Sequence, residues 1–132
     1  MNPTARALLV AAALAGFSGV ALAAIGAHAV QGNDVFATWR SWQSASAMHL
    51  LHAPALLALA ALAAHHRSRL WLASGALMVA GLLLFSGSIY YSILSGHGGT
   101  GGLAPIGGFS LMLAWLLLVV AAFSARRPGG TA

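Results

Sequence analysis

The chain contains no cysteine and no lysine, and Asp34 is its only acid. Without cysteine there are no disulfides, no thiolate metal ligands and no cysteine nucleophile. With a single carboxylate, Ser86, Ser88 and Ser92 have no acid to orient a general base, and none of them has a base nearby in sequence. Charged residues make up only 5% of the chain against 60% hydrophobic ones, and the mean hydropathy is +0.87. No water-soluble fold needs so few charges, so the composition specifies a bilayer as solvent. The pI near 11.7 reflects missing carboxylates beside six arginines and does not argue for a nucleic-acid surface. The Gly-rich stretch from Gly96 to Gly102 lacks the strand, Lys and Ser/Thr context of a phosphate-binding loop and reads as a connector.

What is present is four long apolar runs, at about 7–27, 43–64, 70–94 and 105–123. Each approaches or exceeds the roughly 20 helical residues that cross about 30 Å of hydrocarbon. The fold class expected is all-α: a polytopic four-transmembrane-helix bundle forming one integral membrane domain over residues 1–132. Arg6, Arg67, Arg69, Arg126 and Arg127 fall on one side of such a topology and Arg40 on the other. The positive-inside rule then places both termini in the cytoplasm. Arg6, an apolar run and small residues at 21–24 also resemble a secretory signal peptide. That run is long for one, and three further spans demand insertion in any case.

Between the first two spans, Asn33 can cap a helix, and Val35, Trp39 and Trp42 share a narrow arc at helical spacing. A short interfacial helix is expected there. Its tryptophans would sit at headgroup level with Tyr90 and Tyr91, as an aromatic anchor. In the first span, Ala11, Ala15, Gly19, Ala23 and Ala27 recur every fourth residue. They predict a small-residue face on which another helix packs closely. Pro54 removes one backbone hydrogen bond within the second span, whereas Pro105 stands where a helix can begin.

The segments Gly26-Ala27-His28, Met48-His49-Leu50-Leu51-His52-Ala53, Leu84-Phe85-Ser86-Gly87-Ser88-Ile89-Tyr90-Tyr91 and Leu103-Ala104-Pro105-Ile106-Gly107-Gly108, followed by Trp115, form a recognisable order and spacing. In these the chain resembles the domain-of-unknown-function family four-two-three, small bacterial inner-membrane proteins similar to a eukaryotic mitochondrial transmembrane protein. The resemblance runs from about Gly16 to Leu118, and its most specific parts are Ser-Gly-Ser-x-Tyr-Tyr and Ala-Pro-x-Gly-Gly. It implies a four-helix membrane fold and no established reaction, and it assigns no catalytic residue.

Histidine carries what chemistry there is. His65 and His66 neighbour Arg67 and Arg69 and read as solvated ends. His49 and His52, three apart, share one helix face, and His52 falls near mid-membrane, where an ionisable group is a functional hypothesis by default. Three readings compete. Neutral imidazoles can hydrogen-bond between helices, with Ser18, Ser86 or Ser88 as partners. His28, His49 and His52 together can supply nitrogens to copper, zinc or haem, provided the second helix begins deep enough to bring His28 close. A proton or solute pathway would need a wet cavity and lacks the usual embedded acid. The first reading is favoured. It predicts no enzyme and no cofactor, but a small structural or accessory subunit whose partners are the lipid bilayer and other membrane helices, as a homo-oligomer or in a larger complex, with no role for nucleic acid.

Overall fold

The computed structural model describes residues 1–29, 35–65, 69–96 and 102–124. Asn33, Asp34, His66, Arg67, His97 and the two C-terminal arginines lie outside them. The elements are α1 (Pro3–Ala29), α2 (Val35–His65), α3 (Arg69–Leu82), a π-helical turn (Leu83–Gly87), α4 (Ser88–Ser95) and α5 (Leu103–Ser124), with no strand among the described residues. α3, the π turn and α4 are continuous and form one span. Four segments are thus long and apolar enough to cross a membrane: Pro3–His28, Ala37–His65, Arg69–Ser95 and Leu103–Ser124. They pack as two helical hairpins, α1 on α2 and the third span on α5, joined where α2 meets the third span.

Asn2 starts α1. Its Oδ1 accepts from the Ala5 backbone N–H at 2.8 Å, and its Nδ2 donates to the Ala63 carbonyl at 2.7 Å, pinning the start of α1 to the end of α2. Asn at the cap followed by Pro3 at the first helical position suits both residues, because proline lacks the N–H that would be orphaned there. The face α1 buries follows the spacing 5, 8, 12, 15, 19, 22, 26. Ala5, Leu8, Ala12, Gly19 and Gly26 are buried, and Ala15 and Leu22 are partly so. Seven residues per two turns keeps such a seam on one side of the helix.

The small-residue ladder diverges from this seam. Gly19 is buried, Ala11, Ala15 and Ala23 are half-buried, and Ala27 is exposed. A four-residue step advances about 40° around a helix, so Ala27 has rotated about 160° from Ala11. The ladder therefore crosses the packing face at Gly19 rather than forming it. There a Cβ would come within 2.9 Å of Leu50 Cδ2.

The expected interfacial helix is not a separate element. α2 is a single helix of 31 residues that runs unbroken through Pro54. Nothing between Val35 and Ser46 interrupts it, since that stretch contains neither Gly nor Pro. At about 1.5 Å per residue α2 is about 46 Å long, well beyond a hydrocarbon core of about 30 Å. Its first turns carry exposed Arg40, Ser41, Gln43 and Ser44, as a segment projecting past the hydrocarbon requires. The aromatic anchor also needs correction. Trp42 is 1% exposed and Tyr90 4% exposed; with Ala45 they form a second small core, the two rings 4.8 Å apart. Trp42 donates its indole N–H to the Leu22 carbonyl at 3.2 Å and lies over Gly26, where any Cβ would overlap the indole nitrogen. Tyr91 does face outward.

In the third span, Met78, Leu82, Ser86 and Tyr90 are all buried. In an uninterrupted α-helix Ser86 and Tyr90 would stand about 80° and 120° out of phase with Met78. The π turn absorbs one residue, which brings both to within about 20° of the same face. Gly107 of α5 packs directly on the Phe85 backbone nitrogen within this turn, and a Cβ there would also lie 2.8 Å from the Gly81 carbonyl oxygen. Two serines tie the pair in opposite directions: Ser74 donates to the Ala114 carbonyl at 2.9 Å, and Ser110 donates to the Leu77 carbonyl at 2.8 Å. Gly96, at φ 69°, ends α4 in the left-handed conformation that glycine adopts without a Cβ penalty.

Candidate functional site

The polar groups of the interior converge on α2, one turn to either side of Leu50. His52 is 2% exposed. Trp115 Nε1 lies 3.1 Å from His52 Nε2, and His52 Nδ1 lies 2.7 Å from the Met48 carbonyl oxygen. An indole can only donate, so Nε2 is the acceptor and the ring proton sits on Nδ1, donated to Met48. Both nitrogens are committed.

His49 takes the opposite tautomer. Its Nε2 is 3.3 Å from Ser18 Oγ, and that hydroxyl is also 2.7 Å from the Leu14 carbonyl oxygen. The hydroxyl has one proton, which goes to the shorter contact with Leu14, so His49 Nε2–H donates to Ser18. Nδ1 is then a bare lone pair, buried and without a hydrogen-bond partner. His52 sends its Nδ1 proton to the carbonyl four residues back; the equivalent carbonyl for His49 is that of Ala45, which already accepts from Ser86 Oγ at 2.9 Å. Tyr90 closes the cluster, with its ring 6.0 Å from that of His49 and its hydroxyl donating to Ser46 Oγ at 3.3 Å.

Of the serines proposed as partners, Ser18 reaches His49, Ser86 bonds the α2 backbone, and Ser88 turns back on its own helix at Leu84 and Phe85. Trp115 is the partner that the sequence did not disclose: a half-exposed indole in an apolar span reads as a lipid-facing side chain until its N–H is seen to face a lone pair. His28, His49 and His52 are not brought together. Among the described residues no group of three His, Cys, Asp or Glu is arranged to hold a metal ion, and His28 is exposed at the far end of α1. The cluster can therefore lock three spans, α2, the third and α5, against one another and attach α1 through Ser18. Its one serine–histidine contact, Ser18 with His49, is accompanied by no acid among the described residues.

The family model described as "Protein of unknown function (DUF423)" matches residues 22–108. The inner membrane protein YgdD of Escherichia coli K12 is 36% identical over 128 residues, covering 96% of each chain. The membrane protein YwdK of Bacillus subtilis is 31% identical over 119 residues, 89% of this chain and 96% of that one. SAB0533 of Staphylococcus aureus is 29% identical over a stretch of the same length and coverage. No solved structure matches. Four apolar spans and full-length similarity to membrane proteins make this a multi-pass membrane protein, and the chain belongs to the DUF423 family of proteins of unknown function.

Proposed function

We propose that the protein is a non-enzymatic structural or accessory subunit of the bacterial inner membrane, acting through lateral association with membrane helices, its own copies or those of a larger complex. Both termini would face the cytoplasm. The observation that carries this reading is where the interior polarity is spent. Ser74, Ser86, Ser110 and the Trp115–His52 pair all bond across helices inside the chain. Little chain lies outside the spans, so lateral surface is the main means of contact. α5 contributes most to it, with Phe109 69% and Phe123 88% exposed. The relatives supply membrane residence and no reaction. The metal or haem alternative loses support because both His52 nitrogens are engaged.

The absence of cysteine makes the test clean, because each introduced thiol is unique. Phe109→Cys and Phe123→Cys should form cross-linked species in native membranes. Gently solubilised protein should run above its 13.3 kDa monomer mass. Monomeric mass with no adduct from either position would overturn the proposal.

A further inference from the structure

α1 and the third span both pack on α2 but hardly on each other, which leaves a lengthwise cleft between them. It has a volume of about 370 Å³, is walled by Leu14, Val79 and Leu83, is floored by Leu56, and ends at Ser18 and His49. At its other end it runs into a shallower cavity of about 550 Å³ beside Met1, Pro3 and Arg6, the two sharing Ala7 and Val10. We infer that this continuous groove seats one anionic phospholipid, its phosphate at Arg6 and one acyl chain lying along α1 toward Ser18.

Three observations support that occupant. The first is length: from Arg6 to Ser18 a helix rises about 18 Å, close to the roughly 15 Å depth of one leaflet's hydrocarbon. The Arg6 end therefore lies at the interface and the Ser18–His49 end near the midplane, the span that one acyl chain covers. The second is width. An extended acyl chain roughly 5 Å across fills about 350 Å³ over that distance, whereas a helix about 10 Å across would need on the order of 1,400 Å³. The cleft matches the width of one chain more closely than that of a helix. The third is charge. Arg6 is exposed in the first turns of α1, where the helix dipole also favours an anion, and its guanidinium meets no carboxylate among the described residues. The only acid in the chain, Asp34, follows the opposite end of α1. Among the described residues no carboxylate is placed to hold the cationic amine of a zwitterionic headgroup, which favours lipids with net negative charge.

The inference is independent of whether the protein associates with other helices. It is tested on the purified full chain by native mass spectrometry with phosphatidylglycerol and phosphatidylcholine of identical chains. The wild type should retain one phosphatidylglycerol in preference to phosphatidylcholine by about fivefold or more. Arg6→Gln should erase the preference. Ala7→Phe, at an exposed position where the two cavities join, should abolish retention of both lipids without disturbing the fold. Leu9→Phe, off the groove, should change nothing. Equal retention of the two lipids by the wild type would overturn the headgroup assignment. Undiminished phosphatidylglycerol binding by Ala7→Phe would overturn the groove as its seat. A dimer mass lost in Ala7→Phe with lipid retention unchanged would give the groove to a second copy instead.

Discussion

Trp115 and His52 lie 63 positions apart in the sequence and are joined by a 3.1 Å hydrogen bond from the indole N–H to Nε2. The bond fixes which imidazole nitrogen carries the proton, and it spans α5 and α2, which otherwise scarcely meet. Breaking it from either side has a definite signature. His52→Gln retains a neutral acceptor and should be milder than His52→Leu, which strands the indole N–H. Trp115→Phe should resemble His52→Leu, each at about 0.6 to 2 kcal/mol in a membrane interior. Thermal unfolding in detergent measures the order, and metal content should not change in any of the three.

The crossing of α5 over the third span gives a sharper contrast between adjacent residues. A Cβ on Gly107 would strike the Phe85 backbone, which cannot move aside, whereas one on Gly108 would meet only the edge of the Phe85 ring at 3.9 Å. Gly107→Ala should cost about 1 to 3 kcal/mol or prevent folding, with Gly108→Ala near neutral. Paired melting curves check this.

At Gly19 the obstacle is the flexible end of Leu50, 2.9 Å from where an added methyl group would sit, so size decides the outcome. Gly19→Ala should be accommodated, and Gly19→Leu should separate α1 from α2. Leu14→Ile, at a side chain 64% exposed, should be silent. Unchanged detergent stability of Gly19→Leu would mean that the α1–α2 seam contributes little.

Orientation rests on the arginine asymmetry. Reporters fused after Arg69 and after Ala132 should be active only in the cytoplasm, and substituting Arg67 with Arg69 should weaken that orientation more than substituting Arg40. A periplasmic signal from either fusion would refute the proposed orientation.

The four spans are legible in the sequence because length and apolarity in a bilayer leave the backbone no alternative to helix. Ser18 is legible as one of three candidate serine partners for the histidine pair, but which of the three reaches His49 is not, because that depends on helix phase. The remaining features depend on phase and depth, which composition does not encode. Stepping by fours from Ala11 suggests a face, but the helix period carries Ala27 out of it. Trp42 and Tyr90 have the amphipathic chemistry of interfacial anchors, and only the gap left by Gly26 turns the indole inward. The π turn has no hydropathy signature at all.

That turn also bears on how the chain could change in length. One residue between Leu83 and Gly87 is surplus to a regular helix, so deleting a residue there would let the turn close to ordinary α geometry with Ser86 and Tyr90 still facing α2. An insertion at the same place has no slack to draw on and would turn α4 about 100° away from its partners. In this span, losing a residue should be gentler than gaining one, the reverse of what connecting loops tolerate, and the asymmetry would appear as relatives with a shorter third span but none with a longer one.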